Sequence, residues 1–416
     1  MRAAVSACSM DERESSSTTG HPMTTPADTH VLTLTPFYPS AGDERGGFVA
    51  EPLREIGAFG VQSTVIAVRP WHKERSQSVS SAPSAEWVRY PAIPGNAGLS
   101  SAGYLLYLRL RERVRRLHHS EPIQVLHAHA ALPCGEATRR LGRELGIPVV
   151  VTVHGLDAYF VRQNWGVSGK RCAALCRRVY GEAQRVVCIS EEVRHQVFAG
   201  LPELRNAEVV YNGVDPELFY SENRGPGRDP ILASVGSLIA IKGHDVTLRT
   251  LAELATEFPA LRCRIVGEGP ELRRLQALSQ ELGVAARVEF LGRQTRTQVA
   301  ELLRGSDVFA LPSHYEGLGC AYLEAMASGL PTIAYRGQGI QEVIRHNENG
   351  ILMSEHSAEN APRALAEVVR TLLKNEGMRC ALGKAARTTV LEGFTLRHQA
   401  QALARIFASV VRKDAA

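Results

Sequence analysis

Residues 148–155 read Pro-Val-Val-Val-Thr-Val-His-Gly. The five residues before the histidine are apolar apart from one threonine, which is typical of a strand buried on both faces. Residues 186–189, Val-Val-Cys-Ile, have the same character. Such strands occur where helices cover both sides of a parallel sheet, so the two runs predict an α/β fold.

Short apolar runs alternate with longer periodic segments from residue 30 onward, and the alternation is interrupted once. Residues 216–230 contain a cluster of glycine and proline among charged residues, which is typical of a linker. The chain of 416 residues is long enough for two cores. We therefore predict two Rossmann-like α/β domains that face each other across a cleft. The predicted strands are 30–35, 62–68, 124–127, 148–153, 185–189, 208–210, 231–235, 262–266, 287–291, 308–311 and 331–334.

The predicted organisation has five parts. Residues 1–29 are a polar disordered tail, 30–216 the first domain, 217–230 the linker, 231–390 the second domain and 391–416 a C-terminal helix. The tail has no apolar core of a secretory signal. The C-terminal helix is compatible with packing on either domain.

The composition argues against several classes of protein. No run of 18 apolar residues is present, and a net charge of +5 gives no indication of nucleic-acid binding. The eight cysteines are scattered, mostly among apolar neighbours, which predicts buried free thiols in a reducing cytosol. We expect no metal site, because no Asp-x-Asp pair follows a predicted strand.

Glycine and polar residues concentrate where the predicted strands end. Ligands of open parallel sheets bind beyond the carboxyl ends of the strands, so this concentration predicts one cleft lined by both domains. The residues at these strand ends are Gly46, Gly47, His129, His154, Asn212, Gly213, Gly236, Ser237, Gly267, Gly269, Gly292 and the segment 313–319.

The segment 316–324, Glu-Gly-Leu-Gly-Cys-Ala-Tyr-Leu-Glu, is the most informative motif. A glycine-rich loop that leads into a helix presents free backbone N–H groups and a positive dipole end, which together bind anions such as phosphate. Glu324 is then placed to accept hydrogen bonds from a ribose, and Glu316 lies nearer to a sugar. The alternative is that Glu324 is a first-turn acid that only complements the helix dipole.

Other candidates also have structural alternatives. Lys242 opens a predicted helix and suits a diphosphate as a point charge, or it is a solvated surface lysine. His154 and His129 end strands, where a core histidine with satisfied hydrogen bonds is the alternative. Gly267 and Gly269 are also explained by a tight turn between strand and helix.

Together these motifs resemble the family 4 glycosyltransferases of GT-B fold. The resemblance covers about residues 31–400 and rests on the whole set of motifs, in which two glutamates eight residues apart, followed by Ala-Met-Ala, are specific. The other matching pieces are Pro36-Phe37-Tyr38-Pro39, Gly46-Gly47, residues 125–129 and 148–155, Cys188-Ile189-Ser190, residues 211–215, Val235-Gly236, Lys242-Gly243, residues 265–270, Leu291-Gly292, Pro312-Ser313 and Gly329.

The resemblance implies a retaining transfer without a bound metal and without a cofactor. The nucleotide sugar, UDP- or GDP-linked, is then a substrate bound by the second domain, and the acceptor belongs to the first. The implied catalytic residues are Glu316, Lys242 and His154. The implied donor-binding residues are Gly47, Gly236, Ser237, Gly267, Gly269, Arg293, Leu318, Gly319, Cys320, Ala321 and Glu324.

One position departs from the family pattern. Ser237 stands where the family usually has an arginine that forms a cationic pair with the lysine. Either Lys242 and the helix dipole suffice, or another cation such as Arg336 replaces the arginine. Ser237 also motivates a non-catalytic nucleotide-sugar-binding subunit as an alternative function, and a nucleotide-sugar 2-epimerase on a similar fold is a further one.

The acceptor is expected to be a glycan or a lipid-linked glycan, as in bacterial members that assemble cell-surface polysaccharide. Residues 103–119 carry five arginines and one glutamate among apolar residues, which predicts peripheral contact with the inner face of a membrane. The alternative is an ordinary domain helix whose apolar stripe, at 106, 110, 114 and 117, lies in the core.

Overall fold

The computed structural model describes residues 29–40, 46–73, 84–94, 98–155, 166–222 and 228–413. The first domain has a seven-stranded parallel sheet in the order β3-β2-β1-β4-β5-β6-β7. Its strands are β1 Thr29–Thr35, β2 Val61–Pro70, β3 Ala85–Tyr90, β4 Val125–His129, β5 Val149–Val153, β6 Arg185–Cys188 and β7 Ala207–Val209.

The second domain has a six-stranded parallel sheet in the order β10-β9-β8-β11-β12-β13. Its strands are β8 Ile231–Val235, β9 Arg262–Val266, β10 Val288–Phe290, β11 Val308–Ala310, β12 Thr332–Tyr335 and β13 Ile351–Met353. The predicted fold of two Rossmann-like domains is confirmed. The strands that the sequence did not predict, β3 and β13, are edge strands.

Helices cover both sheets. They are α1 Gly47–Glu55, α2 Leu99–Ser120, α3 Glu136–Leu145, α4 Gly166–Glu182, α5 Glu191–Gly200, α6 His244–Leu254, α7 Leu272–Glu281, α8 Arg296–Arg304, α9 Cys320–Ala327, α10 Ala361–Lys374, α11 Glu376–Gly393 and α12 Leu396–Lys413. The central strands are buried along their length, β5 completely, as the apolar run at 149–153 predicts.

The sequence did not indicate which domain α12 packs against, and the structure places this helix on the first domain. Leu403, Phe407 and Val410 of α12 are buried in one cluster with Val31 of β1 and Val49 of α1. The chain thus returns to its first domain after completing the second. Phe219, inside the predicted linker, is also fully buried.

Helix α2 is an ordinary domain helix along its apolar stripe. Leu106, Leu110 and Val114 are fully buried, and Leu117 packs against the same core. The expectation that these side chains supply apolar surface to a membrane is therefore wrong, because they already cover the sheet. Among the described residues, no helix combines the length and the hydropathy needed to cross a bilayer.

The predicted tail lies outside the described residues except for Thr29, which begins β1. The same holds for residues 223–227 of the predicted linker. All cysteines within the described ranges are free, and five of them are buried: Cys134, Cys172, Cys176, Cys188 and Cys263.

Candidate active site

The topology points to one position in each sheet. In each sheet, the chain first adds strands outward on one side and then continues on the other side. This change of side falls between β1 and β4 in the first sheet and between β8 and β11 in the second. Crevices outside such switch points are where open α/β sheets bind ligands. The loop after β8 carries Lys242 and the loop after β11 carries Glu316, so both candidates flank the switch point of the second domain.

Lys242 and Glu316 meet directly. The Nζ atom of Lys242 donates to Oε1 of Glu316 over 2.5 Å, and the side chains are 19% and 10% exposed. Lys242 is therefore not the solvated surface lysine of the alternative reading. The pair is positioned by backbone contacts between the two loops, since the His314 N–H donates to the Ile241 carbonyl.

Helix α9 begins beside this pair. Gly319 has φ +87°, and a Cβ there would lie 2.5 Å from the Tyr322 ring, so only glycine fits at this helix start. The first-turn N–H groups of Cys320 and Ala321 cannot have intrahelical acceptors, which leaves them for an anion. The side chain of Leu318 is fully buried, so this residue can contact a bound substrate only through its backbone.

Glu324 is the fifth residue of α9, beyond its first turn, and its side chain is buried. The alternative that it is a first-turn acid is therefore wrong. Its Oε1 accepts from Nη1 of Arg296 over 2.7 Å. A buried carboxylate that has one ionic partner is suited to accept hydrogen bonds from a polar group of a ligand.

The first domain contributes His154, which directly follows β5. Its Nε2 lies 2.8 Å from Nδ1 of His129, and its ring has edge contacts with Phe37 and Phe48. Burial lowers the pKa of His154 to about 3, so the imidazole is neutral near pH 7 and acts as a hydrogen-bonding group. Burial also lowers the pKa of His127, whose Nε2 lies 2.8 Å from Thr152 Oγ1.

The two domains meet at this point. The Ser190 hydroxyl donates to the Gly317 carbonyl over 2.5 Å, and a Cβ on Gly317 would lie 2.9 Å from the His154 carbonyl oxygen. The loop that carries Glu316 thus lies against the end of β5. The structure therefore brings the strand end that carries His154 against the loop that carries Glu316, which pairs with Lys242.

The glycines at the other strand ends mainly pack backbone on backbone. A Cβ on Gly267 would lie 1.9 Å from the Gly236 carbonyl oxygen, and one on Gly269 would lie 2.2 Å from that of Leu238. The loops after β8 and β9 are thus in direct contact, so backbone packing between the two loops accounts for both glycines. Arg293 donates to Glu268 of the same loop over 2.6 Å.

Ser237 is exposed and brings no charge to the loop after β8. Arg336, the candidate replacement cation, directly follows β12 at the same edge of the sheet and is also exposed. Within the described part of the chain, no group of three or more His, Cys, Asp or Glu side chains is arranged to hold a metal ion.

The sequence did not indicate three further residues at the domain boundary. Arg296, the first residue of α8, bridges Glu324 and Glu51 of α1. Glu342 of the second domain accepts from the backbone N–H groups of Glu191 and Glu192, at the start of α5 in the first domain. A cation at a helix start, where the dipole disfavours it, was the available signal for Arg296.

Comparison with known proteins identifies the family. Residues 48–218 match the model described as Glycosyltransferase Family 4, and residues 218–389 match the model described as Glycosyl transferases group 1. The chain is 31% identical over 315 residues to D-inositol 3-phosphate glycosyltransferase of Rhodococcus opacus, covering 71% of this chain and 68% of that protein. The chain belongs to glycosyltransferase family 4.

Two other relatives of this glycosyltransferase are named as a synthase and a mannosyltransferase. N-acetyl-alpha-D-glucosaminyl L-malate synthase of Bacillus anthracis is 27% identical, over 74% of this chain and 80% of that protein. A GDP-mannose-dependent alpha-(1-6)-phosphatidylinositol monomannoside mannosyltransferase of Mycolicibacterium smegmatis is 29% identical, over 71% and 78%.

Solved structures confirm the GT-B fold. Sucrose-phosphate synthase from Thermosynechococcus elongatus superposes with a TM-score of 0.75 at 19% identity, covering 92% of this chain and 100% of that one. Anabaena HepE in complex with UDP and glucose gives 0.69 at 18% identity, covering 91% and 99%.

Proposed function

We propose that this glycosyltransferase moves a sugar, with retention of its anomeric configuration, from a UDP- or GDP-sugar to a glycan or lipid-linked acceptor in cell-surface polysaccharide assembly. The observation that carries the proposal is the position of Lys242, Glu316 and the start of α9. They lie together beyond the carboxyl ends of β8 and β11, opposite the end of β5 that carries His154. The residues would act without a metal ion or cofactor.

The chemistry begins with cleavage of the bond between the anomeric carbon and the diphosphate oxygen. Negative charge then develops on the leaving diphosphate, and Lys242 with the N–H groups at the start of α9 would stabilise it more in the transition state than in the ground state. The remaining donor contacts would come from backbone at Gly236, Gly319 and Ala321.

Retention follows from attack on the same face that the diphosphate leaves. Glu316 is ion-paired with Lys242 rather than presented as a free nucleophile, which favours direct attack by the acceptor hydroxyl over a covalent intermediate. The acceptor oxygen forms the new bond to the anomeric carbon, and its proton passes to the departing phosphate oxygen. Neutral His154 would hold a hydroxyl of the donor sugar by a hydrogen bond.

The acceptor side is proposed to contact a membrane. A groove of 780 Å³ lies between α2 and strands β2 and β3, and five arginines and two glutamates line it. Trp71 and Leu108 in its lining are 56% and 43% exposed. Basic and apolar groups on one surface are suited to anionic lipid, and the buried free thiols suit a cytoplasmic location.

The proposal is tested with a panel of UDP- and GDP-sugars, followed by release of nucleoside diphosphate with and without acceptor. We expect turnover with one donor class, unchanged by excess EDTA. Lys242→Ala should lower kcat about 10²–10³-fold, as for loss of a donor to a developing oxyanion. Exposed Lys384→Ala is the matched control. Wild-type turnover by Lys242→Ala, or loss in EDTA that Mg²⁺ or Mn²⁺ restores, would reject the corresponding claim.

A further inference from the structure

Arg296 joins the two domains through a pair of carboxylates. Its Nη2 donates to Oε2 of Glu51 over 2.9 Å, its Nε lies against Oε1 of the same residue, and its Nη1 donates to Glu324 over 2.7 Å. Glu51 belongs to α1 of the first domain, whereas Glu324 belongs to α9 of the second. One guanidinium group is therefore divided between opposite sides of the cleft.

The surroundings of Arg296 are unfavourable for a cation without ionic partners. Arg296 is the first residue of α8, where the positive end of the helix dipole disfavours a cation. Its guanidinium lies over the Phe219 ring, 5.1 Å from the centroid, and both carboxylates are almost fully buried. Burial alone would lower the pKa of Arg296, but Glu324 and Glu51 hold it above its usual value.

The division of the guanidinium group leaves part of Glu324 available. Arg296 bonds to Oε1 of Glu324, and among the described residues no donor is recorded for Oε2. Without Glu51, the guanidinium group would lose its contacts with the first domain, and rotation onto Glu324 would let it occupy both oxygens in the bidentate geometry that it favours. Glu51 therefore keeps one oxygen of Glu324 open while both domains are together.

We propose that Arg296 is a positioning residue that couples binding of the donor ribose at Glu324 to closure of the cleft through Glu51. The inference rests on the proposed function, in which Glu324 accepts from ribose hydroxyls. In the closed protein, Glu51 holds Arg296 so that Glu324 is oriented but not saturated. Opening of the cleft releases Arg296 onto Glu324, where it competes with the ribose.

The test compares two ligands in binding titrations: the nucleoside diphosphate that the protein accepts, UDP or GDP, and its 2′,3′-dideoxy form. We expect the wild type to bind the ribose form at least tenfold more tightly. Glu51→Gln, which changes a residue of the other domain, should reduce this ratio fivefold or more. Glu55→Gln, one turn further along the same helix, is the matched control and should leave the ratio unchanged.

A double-mutant cycle tests whether the coupling between Glu51 and Glu324 passes through Arg296. In an Arg296→Gln background, Glu51→Gln should have no further effect on the ratio, because the coupling passes through the guanidinium group. A ratio unaffected by Glu51→Gln, or an equal effect of Glu51→Gln in both backgrounds, would overturn the inference. Equal wild-type binding of the two ligands would also overturn it, but would leave the proposed function standing. A wild type that binds neither UDP nor GDP would remove both proposals.

Discussion

At the scale of single residues, Ser237 is the departure with the clearest consequence. It is exposed on the loop after β8, within the same loop as Lys242, and offers no charge to a diphosphate. In the proposed function, the positive groups that face the diphosphate are therefore Lys242 and the start of α9, without the cationic pair that the family usually has. His154 is neutral near pH 7 and therefore adds no positive charge to the site.

Ser237→Arg is expected to tighten binding of a nucleoside diphosphate about tenfold, since a second charged donor to a phosphate contributes roughly 1.5–3 kcal/mol, part of which orders the new side chain. Isothermal titration of UDP or GDP would measure the change. Exposed Gln276→Arg on α7 adds the same charge elsewhere and serves as control. Unchanged or weaker binding would mean that another cation, such as Arg336, already fills this space.

At the scale of elements, two sides of helix α2 have different surroundings. Its apolar stripe covers the sheet, while Arg109, Arg113 and Arg116 line the groove on its other side. Arg115 is engaged by Glu112 and Glu144 and is not part of that lining, whereas Arg113 lines the groove and pairs with Glu86. A basic surface for lipid therefore includes Arg109 rather than Arg115.

We expect the protein to co-sediment with anionic vesicles at low salt and to dissociate as salt rises. Changing Arg109, Arg113 and Arg116 together to Ser should weaken this binding roughly a hundredfold, because each arginine near the surface contributes about 1 kcal/mol. Triple replacement of the exposed Arg143, Arg178 and Arg274 by Ser is the charge-matched control. Equal loss in both triples, or no vesicle binding by the wild type, would rule out this contact.

At the scale of the whole molecule, the cleft is closed by polar contacts that each need both domains. Helix α5 is an example: Ser190 caps the Val193 N–H, and Glu342 of the second domain accepts from the next free N–H groups, over 2.8 Å each. An acid at a helix N-terminus is also favoured by the dipole. The second domain thus supplies the acceptor for two N–H groups at the start of a helix of the first domain.

Glu342→Ala should open the cleft in a fraction of the molecules, because two N–H groups lose their acceptor, at a cost of about 1–2 kcal/mol. Small-angle scattering should show a larger radius of gyration without nucleotide, and saturating donor should restore the wild-type value. Exposed Glu348→Ala, which removes an ion pair within the second domain, is the control. A radius identical to that of the wild type would show that this contact does not control closure.

The sequence predicted the central strands of each sheet most clearly. The central strands β5 and β6 were predictable because a strand buried on both faces has apolar residues at consecutive positions. The edge strands β3 and β13 were not predicted. Strand β3 reads Ala-Glu-Trp-Val-Arg-Tyr, and this mixed pattern reflects a strand that has a neighbour on one side only.

The sequence by itself determined the α/β class, the family and the residues at the strand ends, since these depend on local pattern and on motifs of fixed spacing. Only the tertiary structure decided that Lys242 bonds to Glu316, that α12 returns to the first domain, and that the stripe of α2 faces the core. It alone showed Arg296 between Glu51 and Glu324, residues that are 273 positions apart in the chain. The reason is physical: ion pairs across a cleft depend on how two separately folded sheets meet, and no local pattern in the chain encodes that meeting.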